Sequence, residues 1–122
     1  MLPQTKGARP RILVADDDDL LSEVLSQALQ ANGYAVARAP GGTFSPELAA
    51  EIDLVILDAN IPGSDFTTTL SYLRDANIAV LVLTGEPSPP TGVHAFEYLG
   101  KPVDLGQFLE FVAGLIQQSA RG

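Results

Sequence analysis

Four short apolar runs in this chain each stop at a polar side chain, and this pattern limits the folds open to it. Such runs, separated by stretches of helical periodicity, are typical of a parallel sheet with crossover helices. The carboxyl ends of parallel strands share one sheet edge, where ligands bind in open α/β folds. The sequence therefore predicts that one small site collects the residues that follow the runs at 12–15, 54–57, 80–83 and 96–100, namely Asp16 with Asp17, Asp58, Thr84 and Lys101.

The first predicted helix has a clear amphipathic pattern. We expect Asp18 or Asp19 to cap its N-terminus and Gly33 to end it. Between these residues, apolar side chains recur at the spacing of one helix face. The pattern predicts a buried face formed by Leu21, Val24, Leu25, Ala28 and Leu29.

The other elements complete an α/β fold. Right-handed crossovers place the strands in the order 2-1-3-4-5, with the switch point between the first and third strands. This order predicts a flavodoxin-like, doubly wound sheet of five parallel strands. The remaining strands are predicted at residues 34–37, 54–57, 78–83 and 96–100, and the remaining helices at 46–51 with Ser45 as N-cap, at 65–76, and from Asp104 onward.

The connection between the fourth and fifth strands is unusual. Prolines at positions 87, 89 and 90 and Gly92 stand within six residues, and such a segment does not support a regular helix. The crossover helix is therefore predicted to be shortened or absent. Residues 1–10 are predicted to be a flexible lead-in, residues 11–118 one domain, and residues 119–122 a C-terminal tail.

Composition excludes several classes of protein. The chain has 122 residues, 46% of them hydrophobic, which suits one folded domain and not a disordered segment. A net charge of −8 argues against nucleic acid as a partner. The absence of cysteine excludes disulfides and cysteine–zinc sites. No stretch reaches the ~20 apolar residues that span a bilayer, so we predict a cytoplasmic protein with no membrane partner.

The predicted site offers oxygen ligands from Asp16, Asp17 and Asp58. Crowded carboxylates repel one another unless a cation joins them. A site with oxygen ligands and no histidine or cysteine favours a hard ion such as Mg²⁺ over zinc or copper. Lys101 and Thr84 supply a positive charge and a hydroxyl that are useful around a phosphoryl group. An aspartate can itself be the nucleophile in such chemistry.

Four stretches together resemble a two-component response-regulator receiver domain, over about residues 11 to 118. They are Ile-Leu-Val-Ala-Asp-Asp at 12–17, Leu-Val-Ile-Leu-Asp-Ala-Asn-Ile-Pro-Gly at 54–63, Val-Leu-Thr-Gly-Glu at 82–86 and Tyr-Leu-Gly-Lys-Pro at 98–102. The resemblance implies a phosphorelay protein that is not an enzyme beyond its own aspartyl phosphorylation and dephosphorylation. It also implies a sensor histidine kinase or histidine phosphotransfer protein as donor, and a downstream protein as partner.

The resemblance also implies a role for each matching residue. Asp58 would be the phosphoacceptor, and Lys101 would pair with it and with the phosphoryl group. Asp17 would bind Mg²⁺ directly and Asp16 mostly through water. The remaining roles are the backbone carbonyl of Asn60 as a further metal ligand, Thr84 as a phosphoryl contact, Tyr98 as an aromatic switch, and Asn60 with Glu86 as residues that tune dephosphorylation.

Two alternatives stay open from the sequence. A magnesium phosphohydrolase of the haloacid-dehalogenase type also uses an aspartate nucleophile, but that family has an Asp-x-Asp pair where this chain has Asp58-Ala59-Asn60. The second alternative is a degenerate receiver that binds partners without being phosphorylated. At Tyr98, a static core position is the alternative to the switch.

Overall fold

The computed structural model of the chain describes residues 9–85 and 97–120, with side chains up to residue 118. The strands lie in the order β2-β1-β3-β4-β5, and every neighbouring pair is parallel. The predicted flavodoxin-like sheet is therefore confirmed. The elements are β1 (Arg11–Ala15), α1 (Asp19–Ala31), β2 (Ala35–Arg38), α2 (Pro46–Ala49), β3 (Leu54–Asp58), α3 (Phe66–Asp75), β4 (Ala79–Thr84), β5 (Glu97–Gly100) and α4 (Leu105–Ala120).

The central strands are buried on both faces, as expected for a parallel sheet covered by helices. Alternate residues of β1, β3 and β4 point to opposite sides. One side packs against α2 and α3 through residues such as Leu70 and Leu73, and the other packs against α1 and α4 through Leu25, Leu29 and Phe108. This double packing makes the sheet a rigid base for the side chains at its edge.

The predicted helix caps are confirmed. Asp18, Ser45 and Asp65 each accept a backbone N–H from the first turn of their helix, and Asp104 accepts the N–H of Gln107 at 3.0 Å in α4. Such caps satisfy the free N–H groups at a helix start. Each cap also fixes where the chain leaves the preceding loop.

Small differences from the predicted boundaries have local causes. β2 begins one residue later than predicted, because the N–H of Tyr34 donates to the carbonyl of Leu29 at 3.1 Å. That bond and the positive φ of Gly33, +92°, place Tyr34 in the capping turn that follows α1. α2 ends at Ala49 instead of position 51, since the N–H groups of Glu51 and Ile52 bond three residues back and tighten the chain into a turn.

The predicted buried face of α1 is wrong in one respect. Val24 is 38% exposed, whereas Ser22 and Ser26 are buried together with Leu25 and Leu29. Ser22 can be buried at little cost because its hydroxyl donates to the carbonyl of Asp16 at 3.1 Å. A hydrophobic pattern alone does not register a buried hydroxyl that has a polar partner.

Several predicted features lie outside the described residues. The proline-rich connection between β4 and β5 is one of them, and so are residues 1–8 of the predicted lead-in and residues 121–122 of the predicted tail. Within the described ranges, the helices are too short or too polar to cross a membrane.

Candidate functional site

Three aspartates meet at the carboxyl edge of the sheet, in the crevice between β1 and β3. Asp16 and Asp17 follow β1, and Asp58 ends β3. One carboxylate oxygen from each lies within 4.8 Å of the others. Asp16 and Asp58 are buried, with 1% and 4% exposure, while Asp17 is exposed. The structure thus brings together the three predicted carboxylates and leaves one of them open to solvent.

Lys101 joins the two buried carboxylates. Its Nζ atom lies 3.1 Å from Oδ2 of Asp16 and 3.4 Å from Oδ2 of Asp58. The lysine directly follows β5, and its backbone N–H donates to the carbonyl of Thr84 at 2.8 Å. The Lys101–Pro102 peptide bond is cis. The end of the sheet therefore holds the backbone of the lysine while its side chain reaches across to β1 and β3.

Thr84 and Asn60 border the same edge. Thr84 ends β4 and is completely buried. Asn60 is exposed, and its backbone N–H donates to Oδ1 of Asp58 at 3.0 Å. That bond occupies one carboxylate oxygen and leaves the other facing Lys101. Asp58 is thereby oriented by a loop residue on one side and by a cation on the other.

Of the two other predicted site residues, only one is described. Tyr98 lies on β5 in register with Val82 of β4, and its side chain is 40% exposed. It is therefore not a core residue in this conformation. Glu86 lies outside the described residues.

Asp18 supports the site without belonging to the acidic cluster. Its backbone N–H donates to Oδ1 of Asp16 at 2.9 Å, and its own carboxylate caps α1 by accepting the N–H of Leu21 at 3.1 Å. The short turn between β1 and α1 therefore orients Asp16, and the predicted cap role of Asp18 is confirmed.

Burial and neighbouring charge alter the acidity of the site. The pKa of Asp58 is raised, chiefly because the carboxylate is buried, and the negative charge of Asp16 raises it further. The hydrogen bond from the N–H of Asn60 and the positive charge of Lys101 lower this pKa, but they do not cancel the increase. Burial acts to lower the pKa of Lys101, but its contacts with Asp16 and Asp58 outweigh burial and raise that pKa. At neutral pH the lysine is firmly protonated, and a further cation would stabilise the ionised carboxylates.

We expect Asp58→Asn to raise the free energy of unfolding in metal-free buffer at neutral pH by about 1 kcal/mol, an ordinary size for one substitution. The variant removes a charge that burial destabilises and that Asp16 repels, and its amide oxygen still accepts the N–H of Asn60. Because the pKa of Asp58 is higher in the folded chain than in the unfolded chain, the folded state binds its proton more tightly. The contribution of Asp58 to wild-type stability should therefore rise as pH falls through its folded pKa.

Urea unfolding followed by circular dichroism, at neutral and mildly acidic pH, measures this difference. The advantage of Asp58→Asn should shrink as the pH falls. Asp75→Asn is the control, because Asp75 is exposed at the far end of α3. A variant less stable than wild type at neutral pH would contradict the assigned cost of burying the charge of Asp58 beside Asp16.

Gly42 lies close against the loop that follows Asp58. Its φ is +77°, and a Cβ atom built on it would lie 3.0 Å from both Cδ1 of Ile61 and Oγ of Ser64. A side chain at this position would therefore be strained and would press on the loop after β3. Sequence reasoning missed this glycine, although the Gly41-Gly42 pair between β2 and α2 is a signal of a tight turn.

We expect Gly42→Ala to lower the free energy of unfolding by about 1–3 kcal/mol, the usual cost of a strained residue in this region of backbone. Chemical denaturation measures the loss. Gly41→Ala is a matched control, since an added Cβ there meets no described atom within 4 Å and φ is not positive. Equal effects at the two positions would show that the contact with the loop is unimportant.

The carboxylate cluster fits a hard divalent ion. The donor set is all oxygen, two of the three groups are buried, and the exposed carboxylate of Asp17 leaves one side open to water. Mg²⁺ is commonly bound by one or two carboxylates while it keeps several waters. The residues present therefore suit a metal ion of this class.

Comparison with known proteins gives consistent matches. The sequence profile of the response regulator receiver domain matches residues 12–113. The DNA-binding dual master transcriptional regulator RpaA of Synechocystis sp. is 34% identical over 123 residues, covering 92% of this chain and 51% of that protein. The transcriptional regulatory protein PrrA of Mycobacterium tuberculosis is 32% identical and covers 89% of this chain and 51% of its own length.

Solved structures agree with the sequence matches. The signal receiver domain of an HD domain-containing protein from Pseudomonas fluorescens superposes with a TM-score of 0.83 at 27% identity, covering 93% of this chain and 99% of the other. The receiver domain of the hybrid histidine kinase CckA gives a TM-score of 0.72 at 30% identity, covering 87% and 98%.

These relatives correct one prediction. Nucleic acid was excluded as a partner on the basis of net charge, and this exclusion is wrong, because RpaA is named as a DNA-binding regulator. The charge of −8 belongs to a chain that spans about half the length of the curated relatives it matches, so it does not test contact with DNA. With the profile match covering most of its length, the chain belongs to the response regulator receiver domain family.

Proposed function

We propose that this chain is the phosphoacceptor of a two-component phosphorelay and takes a phosphoryl group on Asp58 in a Mg²⁺-dependent reaction. The observation that carries the proposal is the meeting of three carboxylates within 4.8 Å, with the ammonium group of Lys101 3.1 Å and 3.4 Å from two of them. A buried aspartate with a raised pKa, held beside a fixed positive charge, is suited to attack an electrophilic phosphorus atom.

In the proposed reaction, a carboxylate oxygen of Asp58 attacks the phosphorus of the donor. A new O–P bond forms, and the bond from phosphorus to the donor breaks, with its electron pair leaving on the donor. The donor is a phosphohistidine of a histidine kinase or phosphotransfer protein, or a small acyl phosphate. The fixed N–H of Asn60 holds the other carboxylate oxygen, so the nucleophile keeps one orientation.

The surrounding residues would balance charge during transfer. Bound Mg²⁺ would offset the negative charge of the carboxylates and of the phosphoryl oxygens. Its proposed ligands are Asp16, Asp17, Asp58 and the backbone carbonyl of Asn60. Lys101 already lies between two carboxylates, and its positive charge would also attract the incoming phosphoryl group.

The remaining assignments concern the phosphorylated state. We assign Thr84 to a hydrogen bond with a phosphoryl oxygen, which its place at the end of β4 supports. Tyr98, 40% exposed on the neighbouring strand, would turn inward when Thr84 moves toward the phosphoryl group. Asn60 and Glu86 would set the rate of hydrolysis. The similarity to RpaA and PrrA, which are named as transcriptional regulators, supports an output in transcriptional regulation.

Incubation with acetyl phosphate, with and without Mg²⁺, tests the proposal. Intact-mass spectrometry should show a gain of one phosphoryl group when Mg²⁺ is present, and little gain with a chelator. No gain with Mg²⁺, while an active receiver domain is labelled in parallel, would favour the degenerate receiver that binds partners without phosphorylation.

Among the proposed ligands, Asp17 should matter most for Mg²⁺ affinity, because it is the exposed member of the cluster. We expect Asp17→Asn to raise the Mg²⁺ dissociation constant by about tenfold or more, since removing even an indirect partner of a metal site commonly costs 10–100-fold. Isothermal titration calorimetry measures the change. Asp19→Asn, an exposed position in the first turn of α1, is the matched control. If both variants bind like wild type, the metal site lies elsewhere.

A further inference from the structure

Two serines lie on the buried face of α1, and their surroundings differ. Ser22 and Ser26 are 2% and 6% exposed and stand one helical turn apart. The hydroxyl of Ser22 donates to the backbone carbonyl of Asp16 at 3.1 Å. The hydroxyl of Ser26 has no hydrogen-bond partner among the described residues. The same side chain at the same depth therefore has a polar partner at one position and lacks one at the other.

Two hydrogen bonds join Ser22 to the turn between β1 and α1, which carries Asp16 and Asp17. Its hydroxyl bonds to the carbonyl of Asp16, and its backbone N–H donates to the carbonyl of Asp18 at 2.9 Å. Inside the same turn, the N–H of Asp18 donates to Oδ1 of Asp16 at 2.9 Å. The three bonds connect the first turn of α1 to the backbone and to the side chain of a proposed metal ligand.

The bond from Ser22 is not the usual local bond of a helical serine. Serine hydroxyls within helices commonly bond to the carbonyl four residues earlier, in the same helix. Here the hydroxyl reaches six residues back, beyond the start of α1, to the residue that follows β1. The bond therefore links α1 to the end of a strand of the sheet and does more than satisfy the helix.

We propose that Ser22 is a positioning residue for Mg²⁺ binding, an inference that rests on the proposed function of the site. The carbonyl of Asp16 belongs to the peptide group that joins Asp16 to Asp17. While the Ser22 hydroxyl holds that carbonyl, the peptide plane cannot rotate freely. Because the plane sets the direction in which Asp17 leaves the backbone, Ser22 keeps the exposed carboxylate aimed at the two buried ones.

Loss of the hydroxyl should act on metal binding and not on the chemical step. Ser22→Ala frees the peptide plane but leaves Asp58, Lys101 and Asn60 in place. We expect the Mg²⁺ dissociation constant to rise about three- to tenfold, somewhat less than when a direct partner of a metal ligand is removed. The Mg²⁺ concentration that gives half-maximal phosphorylation should rise equally, and the maximal rate at saturating Mg²⁺ should stay within about twofold of wild type.

Ser26→Ala is the matched control for this experiment. It makes the same atomic change on the same buried face of α1, one turn away, where the hydroxyl bonds to no described residue. Calorimetry with Mg²⁺ should give a wild-type dissociation constant for this variant. In metal-free protein, exchange of the Asp18 amide proton, followed by NMR, should be faster in Ser22→Ala than in Ser26→Ala, because only the first change loosens the turn.

The outcomes separate this inference from the proposed function. Wild-type protein that binds Mg²⁺, with Ser22→Ala binding as tightly as wild type, would overturn the positioning role alone. A Ser26→Ala variant weakened as much as Ser22→Ala would also overturn it, because the effect would then be general packing. Wild-type protein with no saturable Mg²⁺ binding would overturn the proposed metal site together with the inference.

Discussion

Asp58→Asn should take up no phosphoryl group under conditions that label wild-type protein to completion. The substitution keeps the size of the side chain and the bond from the N–H of Asn60, but an amide oxygen is a poor nucleophile and carries no charge for the metal. Incubation with acetyl phosphate and Mg²⁺, followed by intact-mass spectrometry, measures the loss. Because the variant should be at least as stable as wild type, unfolding will not account for it.

Asp75→Asn serves as the control for labelling. Asp75 is exposed and pairs only loosely with its neighbour Arg74, with the two charged groups 3.9 Å apart. This variant should be labelled at the wild-type rate. If Asp58→Asn were labelled as fully as wild type, Asp58 would not be the phosphoacceptor.

Lys101→Met should slow phosphoryl transfer by about 100-fold, the effect typical of removing one group that stabilises charge in a transition state. Methionine keeps much of the apolar length of lysine but removes the ammonium group from between Asp16 and Asp58. The two buried carboxylates would then repel each other without compensation. Rapid-quench labelling at saturating Mg²⁺ measures the rate constant directly.

Two further variants separate the charge from its placement. Lys101→Arg keeps a positive charge and should lose less activity than Lys101→Met. Arg74→Met removes an exposed cation from α3 and should be labelled like wild type. A rate for Lys101→Met within twofold of wild type would contradict the role assigned to the ammonium group.

The arrangement of the sheet could be predicted because its signals are local. Each strand is a short apolar run with a polar end, and right-handed crossovers leave few orders for five such strands. In a parallel sheet the carboxyl ends of β1, β3 and β4 must share one edge. Residues 16, 58 and 84 were therefore placed correctly relative to one another from the sequence alone.

The predictions were less accurate where a contact crosses between elements. The apolar pattern of α1 predicts that Val24 is buried, whereas Val24 is 38% exposed and the polar Ser22 is buried and bonded to Asp16. Hydrophobic spacing contains no information about such a bond. Gly42 is similar, since the space for a side chain at this position is limited by Ile61 and Ser64, which lie in a different loop. Contacts of this kind require the three-dimensional arrangement of two segments, which spacing along the chain does not specify.

The nucleic-acid prediction was wrong for a different reason. Net charge describes the chain as it stands, whereas the relatives are about twice as long as the part that matches. A charge argument applies only to the residues that were counted. The sequence pattern at the carboxyl edge of the sheet does not depend on chain length, and it remains the basis for the proposed phosphorylation.

Localisation of the phosphoryl group is the most direct test of the account. Borohydride reduces an aspartyl phosphate to homoserine, so reduction after labelling marks the modified position permanently. A protease digest followed by tandem mass spectrometry then shows which carboxylate reacted. We expect homoserine at position 58 and aspartate at positions 16 and 17. Homoserine at either of those two positions, with unmodified Asp58, would contradict the assignment of nucleophile and metal ligands.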